Sequence, residues 1–324
     1  MALARLSFMH CLGEEEPTSQ ENFIKVFQPT ALCISTVFMI LILIAYIVLS
    51  KLRESLVGKI TMGFLTNLIL CYAVITDSFL QESGGRDRRG TTACVVTGYA
   101  IIYFLHGYFL WLNSMAINIW ISFTGRLSRL SERTKFVTSF AYAQGLPLLL
   151  CAVTALVDHS GRGLRGERLL SHPEVGKYNC YLGSARTSQH RSYFTTPEFI
   201  YQQSVIILVQ ISNLVFLVLS WLSIRSAGEQ IKRGASTGHF GKFVKIFLVL
   251  GFTWIAEVIS TALAVEHGWQ ETFYVRLFLD LVNFFLGVLL FVFLVCNKQV
   301  LLLMRAKILN RSLSSHYDPD DIKV

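Results

Sequence analysis

The 324-residue chain is 53% hydrophobic and only 15% charged, with a positive mean hydropathy. That balance excludes a water-soluble globular domain and makes the bilayer the chain's solvent. The net charge of +8 is what inner loops facing anionic lipid accumulate, so it does not point to nucleic acid. The sequence holds no phosphate loop, no zinc-ligand spacing and no nucleophile beside a base, so no enzyme, cofactor or metal site is expected.

A bilayer core about 30 Å thick takes roughly 20 apolar residues per helix. Seven runs qualify: 29–50, 57–80, 95–123, 136–157, 201–224, 243–265 and 273–296. None alternates like a barrel strand. The expected fold is therefore an all-α membrane protein, a seven-transmembrane helix bundle over residues 29–296. Residues 1–28 form a short tail in which Arg5 and His10 interrupt the only apolar stretch. The first span, rather than a cleaved leader, is then expected to direct insertion. After the seventh span Val300, Leu301, Leu303, Met304 and Ile308 alternate with Lys298, Arg305 and Lys307, which suits a short amphipathic helix on the inner membrane surface. A polar tail completes the segment 297–324, and Cys296 beside the helix is a candidate acylation site.

Of the 29 Lys and Arg, 17 fall on one side of this topology, and the positive-inside rule makes that side cytoplasmic. Arg86, Arg88 and Arg89 run against the bias, whereas Glu14, Glu15, Glu16 and Glu21 suit an external tail. A multi-pass plasma-membrane protein is expected, its N-terminus extracellular and its C-terminus cytoplasmic. The sequon Asn310-Arg-Ser312 then lies inside and should carry no glycan.

Cys33, Cys71, Cys151 and Cys296 lie in spans or at a span end, where thiols pack as small apolar groups. Cys94 and Cys180 share the outer, oxidising side, and a disulfide between them is expected to pin the loop after the fourth span over the bundle. Cys11 is left unassigned.

Polar side chains at membrane depth cost energy and usually face the bundle interior. His106, Asn113, Trp254, Glu257, Arg276 and Asp280 are candidates for an outward-opening ligand cavity, and Asn118, Asn213 and Asn283 for an interhelical polar network. Asn113 suits the network as well, and for Glu257 and Asp280 either role is open. Glu257 lies about 11 Å deep at 1.5 Å per residue. Asp280, Asn283 and Gly287 share one helical face, with Arg276 one turn above Asp280. Pro147 should bend the fourth helix, and Gly251 should allow close packing in the sixth, the favoured reading, or a hinge.

Several segments resemble the secretin-like (class B) superfamily of G-protein-coupled receptors, in particular the insect Methuselah-like group. They are Phe109-Leu-Trp111-Leu-Asn113-Ser-Met115 with Trp120, His172-Pro-Glu-Val-Gly176 leading to Cys180-Tyr-Leu182, Gly251-Phe-Thr-Trp254-Ile-Ala-Glu257, and Asp280-Leu-Val-Asn283 with Gly287. The likeness spans about Phe23 to Arg311. Met115 stands where hormone-binding members carry Glu, and Leu286 where relatives often have Gln. The 28 residues before the first span are too few for the disulfide-linked ectodomain of that family.

The resemblance implies an extracellular peptide or small-molecule ligand, a heterotrimeric G protein and a receptor dimer as partners. It makes Arg126, Arg129, Arg133, Lys232, Arg233 and Lys242 candidate G-protein contacts, though the positive-inside rule alone would also place charge there. The rival readings are a truncated, non-signalling isoform that modulates full-length receptors, and a membrane transporter. A transporter should show repeated halves, and none is visible. A retinal protein needs a Lys in the last span, and residues 271–297 contain none.

Overall fold

A computed structural model describes residues 19–83, 88–124, 130–160, 172–177, 179–183, 194, 196–226, 235–267, 274, 277–278, 281 and 285–308, and among these all regular structure is helical. In chain order the elements are α1 (Ser19–Val48), α2 (Ser50–Glu54), α3 (Leu56–Ser83), α4 (Thr92–Thr124), α5 (Glu132–Ser160), a π turn (Phe199–Gln203) continuing into α6 (Ser204–Ser226), α7 (Ala235–His267), α8 (Leu286–Leu294) and α9 (Lys298–Ile308).

A chain in lipid must satisfy its own backbone groups, and a helix does so within one segment. Hydroxyls within the helices are turned back onto their own backbone: Thr36, Thr61 and Thr76 donate to the carbonyls of Leu32, Val57 and Tyr72 at 2.7–2.8 Å. Hydroxyl side chains also start the helices. Ser55 Oγ accepts from Gly58 N at 3.0 Å, Thr91 Oγ1 from Cys94 N at 3.2 Å, Ser131 Oγ from Thr134 N at 3.1 Å and Thr196 Oγ1 from Phe199 N at 3.2 Å.

Among the described residues five helical segments are long and apolar enough to cross a membrane: Val26–Val48, Leu56–Gln81, Thr92–Thr124, Glu132–Ser160 and Phe199–Ser226. Seven runs were expected. Helix α7 covers the sixth but is apolar in its described part only over Phe243–Ile255, and of the seventh α8 is the longest described helix. Helices α4 and α5 also overrun both ends of their predicted spans, because hydropathy marks the lipid slab whereas the helix continues beyond it. Large apolar side chains such as Val37, Leu41 and Ile44 of α1, Leu148 and Leu156 of α5, and Leu208 and Leu222 of α6 point outward. An apolar exterior of that extent belongs in lipid, as a multi-pass membrane protein requires.

Helix α4 is the axis of the bundle. From Ile101 to Ile119 most of its side chains are buried, and it packs against α3, α5, α6 and α7, while α8 packs against α1 and α7. The closest crossing is at Gly287, whose N–H donates to Ser35 Oγ at 3.2 Å. A Cβ there would overlap the Ser35 backbone, so only glycine fits. Gly251 differs from the close packing expected of it: among the described residues the nearest neighbour of a Cβ there would be the Gln210 amide, at 4.0 Å. Space, rather than close packing, surrounds it. In α9 Val300 and Leu303 are buried while Leu301, Leu302, Arg305 and Lys307 are exposed.

Candidate ligand-binding site

One end of the bundle carries a covalent tie. Cys94 at the start of α4 is bonded to Cys180, with their Cα atoms 4.5 Å apart, which is the pairing expected of the two outer-face cysteines. The loop bearing Cys180 is also held by its backbone. Gly176 N donates to the Tyr181 carbonyl at 3.0 Å, Gly90 N to the Gly176 carbonyl at 2.8 Å, and Gly183 N to the Pro173 carbonyl at 2.9 Å. Gly176 lies at φ 76°, and a Cβ there would stand 2.8 Å from the Val95 backbone. Glycine thus meets both a left-handed turn and a close approach. Asp158 at the end of α5 accepts from Glu174 N at 3.1 Å, and Val175, Tyr181 and Leu182 are buried. The loop caps this end of the bundle.

Beneath it, the chain entering α6 passes through the π turn, whose i to i+5 register is rare and recurs at functional sites. That register brings Glu198 over Gln203. The two side chains face one another, and burial pushes the Glu198 carboxyl up from its ordinary range. Neither Glu198 Oε1 nor Gln203 Nε2 reaches hydrogen-bond geometry with any described residue. Gln203 Oε1 accepts from Trp254 Nε1 of α7 at 3.0 Å. The main-chain carbonyl of Gln202 lies against His106 of α4. The cluster therefore joins α4, α6 and α7.

Its members are deeply buried, His106 being 2% exposed, Gln202 5% and Gln203 1%. His106 Nδ1 lies 2.7 Å from the Ile102 carbonyl. A carbonyl only accepts, so a ring proton sits on Nδ1. His106 Nε2, Gln202 Oε1 and the Tyr201 hydroxyl are also buried without a partner among the described residues. Buried polar atoms of native proteins are nearly always paired. Several unpaired ones lie here on adjoining residues.

Seven residues further along α4, toward the other end, the chemistry reverses. Asn113 Nδ2 donates to Ser212 Oγ at 2.9 Å and to Asn213 Oδ1 at 3.0 Å, Tyr142 of α5 donates to Asn113 Oδ1 at 2.9 Å, and Asn213 Nδ2 donates to Gln210 Oε1 at 2.9 Å. This chain crosses three helices with its central groups all engaged. Another turn along α4, Asn118 Nδ2 donates to the Ser114 carbonyl at 2.8 Å and to Ser139 Oγ of α5 at 3.0 Å.

Of the residues singled out in the sequence, the structure brings His106 and Trp254 into the unpaired cluster and Asn113 and Asn213 into the paired network, with Asn118 bonding α4 to α5. Glu257 lies on α7 one turn beyond Trp254, and its side chain is outside the described residues. Arg276, Asp280, Asn283, Arg126, Arg129, Lys232 and Arg233 are also outside them, as is the side chain of Lys242. Arg133 is exposed in the first turn of α5. Sequence reasoning passed over Glu198, Gln202, Gln203, Gln210 and Tyr142. Applying the criterion of amides at membrane depth to every Gln as well as every Asn would have found three of them.

No family model matches the chain. It is 24% identical over 291 residues to the G-protein coupled receptor Mth2 of Drosophila yakuba, covering 86% of this chain and 50% of the relative. It is also 24% identical over 301 residues to the probable G-protein coupled receptor Mth-like 10 of Drosophila melanogaster, with 86% and 48% covered. To Mth-like 4 of the same fly it is 25% identical over 303 residues, with 90% and 54% covered. The chain spans about half the length of the curated relatives it matches, and those relatives are receptors, not enzymes.

Proposed function

We propose that this chain, whose relatives are Methuselah-like G-protein coupled receptors, is the seven-helix signalling part of such a receptor. Residues 29–296 form the bundle, 1–28 an extracellular tail, and 297–324 a cytoplasmic amphipathic helix and tail. The two spans beyond the five apolar segments are α7 and the segment ending in α8. Disulfides form in oxidising compartments, so the end carrying Cys94–Cys180 faces outward. The opposite end then carries Lys51, Arg53, Arg133 and Arg225, all exposed. Arg225 lies over the Trp221 ring at 5.5 Å, an arrangement suited to a membrane interface.

The observation that carries this reading is the buried cluster of His106, Gln202, Gln203 and Glu198, with polar atoms unpaired beneath the disulfide-tied loop. A ligand supplying the missing partners there acts on α7 through the Trp254–Gln203 hydrogen bond. Gly251 lies one turn inward from Trp254, with room about it, which lets α7 bend. An agonist needs only to bind the bent, inwardly open bundle better than the closed one. The basic inner surface, with Arg126, Arg129, Arg133, Lys232, Arg233 and Lys242, then receives the G protein.

The test is basal G-protein activation, read by energy transfer across a panel of Gα subunits, in cells expressing the chain with an N-terminal epitope. Epitope staining of unpermeabilised cells together with activation of at least one Gα is the expected result. Surface staining with silence across the panel overturns the reading and leaves a non-signalling partner of longer receptors.

A further inference from the structure

Two short helices leave the bundle at one corner of the end opposite the disulfide. Helices α1 and α8 run side by side in the same direction: Gly287 N donates to Ser35 Oγ at 3.2 Å, and one turn further on Phe38 and Phe291 meet edge to face with ring centroids 5.3 Å apart. From that contact the chain continues from α1 to α2 at Ser50, and from α8 to α9 at Lys298. At a helical rise of about 1.5 Å per residue the two short helices start within about 8 Å of one level along the bundle, which is about the depth of a single headgroup layer. Each buries apolar side chains and exposes cations. In α2 Leu52 is buried while Lys51 and Arg53 are exposed, and in α9 Val300 and Leu303 are buried while Arg305 and Lys307 are exposed. Arg53 Nη1 donates to the Ile47 carbonyl at 3.1 Å, which holds the guanidinium against the last turn of α1 and leaves its remaining N–H groups for another acceptor. Among the described residues none of these four cations enters an ion pair, whereas Lys135 and Lys177 pair with Glu132 and Glu174. Glu54 is the one acidic residue in the sequence of the two helices.

Charge alone is what the positive-inside rule requires at this end. The side chains beside it say more. Leu301 and Leu302 are 49% and 56% exposed on the same helix as Arg305 and Lys307, so α9 presents acyl-chain and phosphate chemistry together. A soluble anion would leave those leucines uncovered, whereas an anionic lipid covers both. We propose that α2 and α9 form a docking surface for polyphosphorylated inositol lipids of the inner leaflet. It is a surface rather than a pocket, and no one phosphate touches all four cations. A headgroup bearing several phosphates gains from each cation it nears, as a lipid with a single phosphate does not. Because α2 follows the first span and α9 the last, lipid seated there steadies the inner ends of α1 and α8 together. This rests on that end being cytoplasmic, as in the proposed receptor, and not on G-protein coupling.

The test titrates the purified full chain, in a neutral detergent, with phosphatidylinositol bisphosphate, phosphatidylserine or phosphatidylcholine and counts bound lipids by native mass spectrometry. The bisphosphate should bind saturably, at a half-saturating concentration about tenfold below that of phosphatidylserine, and free inositol trisphosphate should displace it poorly. Lys51→Gln with Arg53→Gln on α2, and Arg305→Gln with Lys307→Gln on α9, should each raise that concentration about tenfold. Lys232→Gln with Arg233→Gln, which removes the same charge from another inner loop, should leave it within about twofold. All these side chains are charged and none is needed to fill the core, so the unliganded melting midpoint should hold. Should one pair fail to fold, Lys51→Gln or Lys307→Gln alone takes its place. Half-saturation unchanged by either pair, an equal loss in the Lys232 and Arg233 variant, or displacement by free inositol trisphosphate at matching concentration overturns the proposal. Selective lipid binding in a chain that activates no G protein retains the surface and discards the receptor reading, and G-protein activation without such binding does the reverse.

Discussion

The two polar regions of the bundle are built from similar residues and kept in opposite states. Around Asn113 the amides and hydroxyls of three helices bond to one another, and Gln210 joins through Asn213 on its own helix. Around Gln202 and Gln203, about two to three turns closer to the disulfide, amides are just as buried and two of their atoms go unpaired. A satisfied network in lipid binds helices to each other. An unsatisfied one costs stability, and a fold retains it where something else supplies the missing partner. Polarity at depth is therefore not by itself the mark of a ligand site; the proposed site rests on unspent hydrogen-bonding capacity.

Substitutions can break or sharpen that contrast. Replacing Asn113 by Leu removes three interhelical hydrogen bonds and orphans Tyr142 and Ser212, which should cost about 2 kcal/mol in unfolding measured in mixed micelles. Gln202→Leu should act in the other direction, raising stability by about 1 kcal/mol, because it deletes a buried side-chain oxygen that has no partner among the described residues. The same variant should blunt basal G-protein activation. Tyr142→Phe removes one bond of the paired network and should cost about 0.6 kcal/mol. Arg88→Gln breaks a surface ion pair 3.4 Å long and should change stability by less than about 0.5 kcal/mol, which sets the floor against which the others are judged.

Much of this architecture can be read from composition alone, since long apolar runs in lipid have little choice but the helix. The Cys94–Cys180 pairing was legible because only two cysteines outside the tail lie beyond the spans on the oxidising side. The partner of each buried amide was not. Asn113 meets Asn213 across 100 residues of sequence, and that meeting depends on how α4 and α6 are rotated about their axes, which their nearly all-round apolar character leaves undetermined. The π turn was invisible because a shift from i+4 to i+5 hydrogen bonding leaves no mark in hydropathy. Gly251 and Gly287 look alike in sequence, yet one stands in open space and the other against the Ser35 backbone. Only the crossing of α8 over α1 separates them.

In the proposed receptor the unpaired cluster opens to the outside while the paired network is closed. Cysteine accessibility tests it most directly. In a chain whose five cysteines outside the Cys94–Cys180 pair are replaced by alanine, Gln202→Cys and Asn213→Cys are compared in intact cells using an impermeant, positively charged methanethiosulfonate reagent. Rapid labelling at position 202 with none at 213 is the predicted result. Equal labelling at the two positions, or labelling of neither, would contradict it.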